Sequence, residues 1–164
     1  MKKKNMLEYL DEQLEKKLKD YDFAIDWDRK THRVTIIVVL YAHNNQSLKV
    51  EDLEGVQSEE EVIEFEDALL LYPQGDQGVE EDREDYLTML PYEGKKGMTQ
   101  GEIEGIAGYL FQVLELGEEE LMDFLQDETK ESFELHWDPK KFQSLVDTHM
   151  KRKNGQMYYS YPRY

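Results

Sequence analysis

Arg33 to Ala42 reads RVTIIVVLYA, a run in which β-branched and apolar residues occupy successive positions, and it limits the folds open to this chain more than any other stretch. Valine, isoleucine and threonine favour an extended backbone, and alternate side chains leave a strand on opposite sides. The strand is therefore apolar on both faces, and both need cover. Just upstream, Phe23, Ile25 and Trp27 alternate with Ala24, Asp26 and Asp28, the pattern of a half-buried strand. The polar link Asp28 to His32 is short, so a hairpin joins the two.

The remaining elements follow from local signals. Met6, Leu7, Leu10, Leu14 and Leu18 recur at helical spacing behind Asn5, a capping residue, and predict a helix over 6–20. His43 to Gly55 is polar and reads as a loop. In SEEEVIEFEDALLLYP, Ser58 and Glu61 could form a helical capping box, whereas Ile63, Phe65, Leu69 and Leu71 keep a two-residue period. A strand from about Val62 to Tyr72 is favoured, because Pro73, Gly75 and Gly78 follow at hairpin-like distance. Asp67 falls on its apolar parity and is read as a bulge in preference to a buried carboxylate, since burying an unpaired charge is costly.

After the charge-dense DQGVEEDRED, Tyr86 to Pro91 reads as a short strand. Thr99 with Glu102 forms a capping box and Met98 with Ile103 a hydrophobic staple, so a helix starts at Gln100 and runs to Leu116, with Gly117 as its stop. Glu118 to Glu120 then open a second short helix that turns Leu121, Phe124 and Leu125 inward. Glu131 to Trp137 reads as a strand, Asp138 and Pro139 start another helix, and Asn154-Gly155 ends it. The tail, residues 156–164, has strand composition and is expected at the sheet's edge. Hairpins separated by helices indicate an α+β fold, a mainly antiparallel sheet with packed helices in a single domain over 1–164. A three-layer α/β/α arrangement is the alternative that the doubly apolar strand supports.

Composition bounds the setting. A chain of 164 residues can bury roughly 70% of its unfolded surface, and its 19 aromatic residues concentrate that burial in large side chains. The absence of cysteine removes disulfides and thiolate sites and points to a reducing, cytoplasmic compartment. No apolar segment of a secretory signal follows Met1-Lys2-Lys3-Lys4, and no stretch approaches the roughly 20 apolar residues of a membrane helix. The net charge of -17 is uneven: residues 51–130 hold 25 acidic and 4 basic side chains, while both flanks are close to neutral. Such a segment repels nucleic acid and attracts cationic partners through a salt-screened field.

FAIDWDRK at Phe23 to Lys30 returns as FELHWDPK at Phe133 to Lys140. Alternation sends the Phe, the Ile or Leu and the Trp to one face, and the following Asp ends the segment by binding backbone amides. The slot between the anchors holds Asp26 in one copy and His136 in the other. Were the two strands neighbours in register, carboxylate and imidazole would face each other as an acid–base pair. Asp26, His136 and Asp67 are therefore the candidate catalytic residues.

Gly101, Gly105 and Gly108 lie inside a predicted helix, where each costs up to about 1 kcal/mol relative to alanine, so close approach of that helix to the sheet is expected. Their spacing does not match a dinucleotide loop, and Gly94-Lys95-Lys96-Gly97 lacks the Walker pattern; it reads as an exposed loop with an anion site at the next helix start as the minor reading. His32, His43, His136 and His149 have no zinc-protease spacing and the acidic loop has no EF-hand order, so neither metal nor cofactor is expected. In the basic and aromatic end KRKNGQMYYSYPRY, Lys151 to Lys153 suit the last turn of a helix. Tyr158, Tyr159, Tyr161 and Tyr164 are candidate partner-binding residues.

YDFAIDWDRKTHRVTIIVVL (21–40), FEDALLLY (65–72), YEGKKGMTQGEIEGI (92–106) and FELHWD (133–138) together resemble a family of small acidic bacterial proteins known only as a domain of unknown function. The resemblance spans nearly the whole chain in the same order. It implies a cytoplasmic bacterial protein and carries no activity.

Three functions follow as expectations. The first is a non-enzymatic binding or regulatory module whose acidic segment meets a basic protein partner, with nucleic acid and membrane disfavoured. The second is an enzyme of unassigned reaction class using Asp26 and His136. The third is a structural homo-oligomer formed through the C-terminal tail.

Overall fold

The computed structural model describes residues 4–43, 62–126 and 133–162. Four strands, β1 (Asp22–Asp28), β2 (Arg33–His43), β3 (Val62–Pro73) and β4 (Thr88–Tyr92), form one sheet in the order β1-β2-β3-β4. The hairpin between β1 and β2 is as expected. Asp28 Oδ1 accepts from the amides of Lys30 and Thr31 at 3.0 and 3.3 Å, and His32 closes the turn at φ 61°. Those amides hold the Asp28 carboxyl below the usual range.

β2 and β3 pair antiparallel in unbroken register from Val34 opposite Leu71 to His43 opposite Val62. Asp67 sits opposite Val38 within that ladder, so it is a half-buried carboxylate and not a bulge. β3 and β4 are parallel, which corrects the hairpin reading of Pro73 and Gly75. Parallel neighbours need a crossover, and a 3₁₀ segment, Gln77–Asp85, supplies it. Arg33 pins that crossover, donating from Nε and Nη2 to the two Asp76 carboxylate oxygens at 2.8 and 3.0 Å and from Nη1 to Asp82 at 3.1 Å.

One face of the sheet carries Val34, Ile36, Val38 and Leu40 with Leu69 and Leu71, and it shares a core with three helices. α1 (Met6–Lys17) starts on the Asn5–Glu8 capping box. α2 (Gln100–Gln126) starts on the Thr99–Glu102 box and runs on through Gly117, so the expected break and second helix are absent. A Cβ at Gly117 would lie 2.3 Å from Leu135 Cδ2: this glycine makes room for a distant side chain and stops nothing. α3 (Pro139–Met150) starts on Asp138, which accepts from the Lys140 and Lys141 amides. It ends at Met150, leaving Lys151 to Lys153 in the turn beyond it.

Gly101, Gly105 and Gly108 face α3, not the sheet. A Cβ at the first two would come within 2.6 Å of Met150 Sδ and 2.7 Å of Val146 Cγ2. Residues 133–138 keep the alternating burial of a strand but form no ladder, which corrects that expectation. Their side chains wedge between elements, with Phe133 edge-on to Phe65 at 4.8 Å and Trp137 edge-on to Tyr109 at 4.7 Å.

The tail pairs away from the main sheet. β5 (Met98–Thr99) and β6 (Tyr158–Tyr159) form a separate antiparallel pair. The opposite face of the main sheet holds a small cluster of Leu70, Met89 and Val79 under the 3₁₀ segment. Among the described residues no α-helix covers that face, so their arrangement is two-layered and Ile37 and Val39 stay half-buried. The Ser58–Glu61 capping signal, most of the 43–55 loop, Glu131 and Tyr164 lie outside the described residues.

Candidate functional site

The structure separates the expected acid–base pair. Asp26 stands opposite Thr35 on β1 and is exposed on the face turned away from the helices, because Ile25 and Trp27 take the core side. His136 lies on the segment before α3, where Nε2 meets Glu120 Oε2 of α2 at 3.2 Å. Residues 133–138 are not a strand beside β1, so the juxtaposition that motivated the pair does not arise.

Asp67 lines a cavity of about 330 Å³ with Glu84, Glu134, Phe65 and Leu135. Burial, with the nearby Glu134 charge, pushes its carboxyl above the usual range, and the Ala68 amide bonded to Oδ1 at 2.8 Å pulls the other way. Among the described residues no group of three His, Asp or Glu side chains could hold a metal ion.

Of the tail tyrosines, Tyr158, Tyr159 and Tyr161 make contacts within the molecule. Tyr161 is 5% exposed, stacks on Tyr92 at 5.3 Å and accepts from Trp27 Nε1 at 2.5 Å. Tyr159 stacks on Tyr9 at 4.1 Å, and Tyr158 donates to Glu93 while Lys96 Nζ sits 4.2 Å over its ring. The start of α2 offers no anion site either. The Gln100 and Gly101 amides donate to the Met157 and Gly155 carbonyls at 2.8 Å, and the Glu102 amide donates to Thr99 Oγ1.

What remains is a groove of about 620 Å³ along the outer side of α2. Tyr109 and Val113 form its floor, and Tyr109 is fixed there because its hydroxyl accepts from the Asp138 amide at 3.0 Å. Leu116 stands in the groove 52% exposed, one of two large apolar side chains left open among the described residues. Glu115, Glu118 and Glu119 form one rim; His136 and Lys141 line the other side. The last turn of α2 contains Asp123 and no basic residue, so nothing there offsets the negative end of the helix dipole.

Sequence reasoning missed this site because it broke α2 at Gly117, which put Leu116 and Glu119 on different elements. The signal was present: no Lys, Arg or His occurs between Lys96 and Lys130. An unbroken helix there carries a continuous acidic side.

An open mixed sheet backed by helices on one face, with an acidic groove on the outermost helical layer, defines a small acidic α+β protein. The chain belongs to the family described as "Protein of unknown function (DUF3013)", which matches residues 1–163. A solved structure described as a conserved protein of unknown function from Enterococcus faecalis is 45% identical, covers 99% of this chain and 98% of that chain, and superposes with a TM-score of 0.84. Among curated proteins none matches the chain. Among the described residues no helix is long and apolar enough to cross a membrane.

Proposed function

We propose that the protein is a non-enzymatic binding module that docks a basic segment of a protein partner along α2. The observation that carries this reading is Leu116, exposed between Glu115, Glu118 and Glu119 over the aromatic floor at Tyr109. Leaving Leu116 half open to water forgoes part of the roughly 1.5–3 kcal/mol of full burial, and the like-charged neighbours Glu115 with Glu118 and Glu119 cost about 0.2–0.5 kcal/mol per pair. A partner presenting an apolar side chain flanked by Lys or Arg relieves both. Lys141 on the opposite side favours an acidic residue in the partner and so fixes its direction.

The test is fluorescence anisotropy with a labelled, Lys- and Arg-rich amphipathic peptide in graded salt. Binding at low ionic strength should weaken as salt rises. It should be lost in Glu118→Lys/Glu119→Lys and in Leu116→Asp, and kept in Glu80→Lys/Glu81→Lys on the distant crossover. No binding at low salt, or equal loss in both double variants, would sink the reading, as would sequence-specific nucleic-acid binding.

A further inference from the structure

A second cavity, of about 420 Å³, opens where the end of β4, the β5–β6 pair, the start of α2 and the side of α3 meet. It shares no lining residue with the α2 groove. Its floor is apolar and rigid: Met98 is 2%, Val146 5% and Phe142 9% exposed, and Met150 Sδ packs 3.3 Å from Thr99 Oγ1. Close packing of α3 on Gly101 and Gly105 holds that floor in place. A volume of this size, with an apolar floor and a few polar groups at the mouth, fits a small organic molecule.

The charged residues that line the mouth have one sign, and a neighbouring ammonium, that of Lys96, stands over the ring of Tyr158. Glu93, Glu102 and Asp147 line the mouth, and no Lys, Arg or His does. Each carboxylate spends one oxygen on the fold: Glu102 Oε1 on the Thr99 cap, Asp147 Oδ1 on Gln143 Nε2 at 3.0 Å, and Glu93 Oε2 on the Tyr158 hydroxyl. Among the described residues the second oxygen of each has no partner. The Lys96 ammonium, 4.2 Å over the Tyr158 ring, shows that a cation is accommodated beside this acidic mouth.

We propose that this cavity binds a small organic monocation, with an ammonium head at the carboxylate-lined mouth, against whichever of Glu93, Glu102 and Asp147 it reaches, and a flat apolar body on the Met98, Phe142 and Val146 floor. The complementarity is twofold. The carboxylates reject an anion outright, and the floor separates an amine with a ring from a simple hydrated cation such as sodium or a polyamine that carries no apolar body. The assignment stands apart from the α2 groove, and either can fail without the other.

Amide-resolved NMR titrations of the full chain test it, with phenethylamine, its neutral analogue phenethyl alcohol, the anion phenylacetate, and blocked lysine (Nα-acetyl-lysine methylamide) as the protein-borne version of the same head. Phenethylamine should shift the Met98, Thr99, Asp147 and Tyr158 amides and bind roughly fivefold or more tightly than the alcohol, the worth of one modest ion pair. Phenylacetate should leave those amides unmoved. Asp147→Lys, on the exposed side of α3, places an ammonium of its own at the mouth and should abolish amine binding while leaving the rest of the spectrum unchanged. Equal binding of amine, alcohol and carboxylate, no response to any probe, or retention of the amine by Asp147→Lys would overturn the proposal. Tighter binding of blocked lysine than of phenethylamine would overturn its small-molecule form.

Discussion

Trp27 donates its indole N–H to the Tyr161 hydroxyl at 2.5 Å, joining the first strand of the sheet to the last described turn of the chain. The rings also meet edge to face at 6.0 Å, and Tyr161 stacks on Tyr92, whose own hydroxyl donates to the His32 carbonyl. The repeated Trp-Asp segment is thus an anchor, with aspartate finishing a turn beside it. Tyr161→Phe keeps the stacking and removes the acceptor. It should cost about 0.5–1.5 kcal/mol, the net worth of a hydrogen bond whose donor is half-buried, read as a lower urea midpoint at unchanged slope. An unchanged midpoint would show that the hydrogen bond adds nothing.

Two glycines on α2 should respond to alanine with opposite sign. At Gly105 the new Cβ would lie 2.7 Å from Val146 Cγ2 and 3.2 Å from the Val146 Cα, so the backbone of α3 must retreat. Overpacking of that kind costs about 1–3 kcal/mol, more than the ~1 kcal/mol that alanine returns in helix propensity. At Gly108 the nearest atom is Leu145 Cδ2 at 3.3 Å, the end of a movable side chain. Gly108→Ala should therefore be neutral or stabilising by up to about 1 kcal/mol while Gly105→Ala lowers the melting temperature. Thermal melts of the two variants side by side decide it.

Asp67 should make stability fall as pH rises through the acid range. Its carboxyl titrates above the unfolded value because burial and Glu134 disfavour the charged form, and Glu84 faces the same cavity. Between the unfolded value and the raised folded value the native state holds more protons, so stability declines with pH across that window and stays reduced above it. Asp67→Asn removes the charge and keeps an acceptor for the Ala68 amide. It should melt higher than the parent at neutral pH, and the difference should close on acidification below the unfolded value. A difference independent of pH would rule out the carboxylate as its cause.

The acidic end of α2 should be improvable by charge reversal. Asp123 is exposed in a last turn without basic residues. Asp123→Lys should stabilise the fold by about 0.3–1 kcal/mol at low salt, and the gain should shrink as salt rises. Chemical denaturation at two ionic strengths measures both.

The sequence announced those elements whose signals are local. Asn5, Thr99 and Asp138 start their helices as capping chemistry requires, and Arg33 to Ala42 is a strand because β-branched residues leave it little choice. It misled where a distant residue decides. Gly117 reads as a helix stop until Leu135 is seen filling its missing side chain, and Pro73 with Gly75 reads as a hairpin until Arg33 is seen drawing Asp76 and Asp82 across the sheet. Phe133 to Trp137 has the alternation of a strand because it has two unlike environments, not because it has a ladder partner. The acidic groove was hidden by the first of these errors, since Leu116 becomes one side of a continuous surface only when α2 continues past it.

The Met6 amide, at the first turn of α1, donates to the Ser160 carbonyl at 2.7 Å. During synthesis that bond must wait for Ser160, whereas Leu10 and Leu14 find core partners on α2 some fifty residues earlier, so the first turn of α1 is secured after its apolar side has been covered. At roughly 5–20 residues per second the Met6 amide waits many seconds for its partner, which makes the entry to α1 one of the last joints of the fold to close.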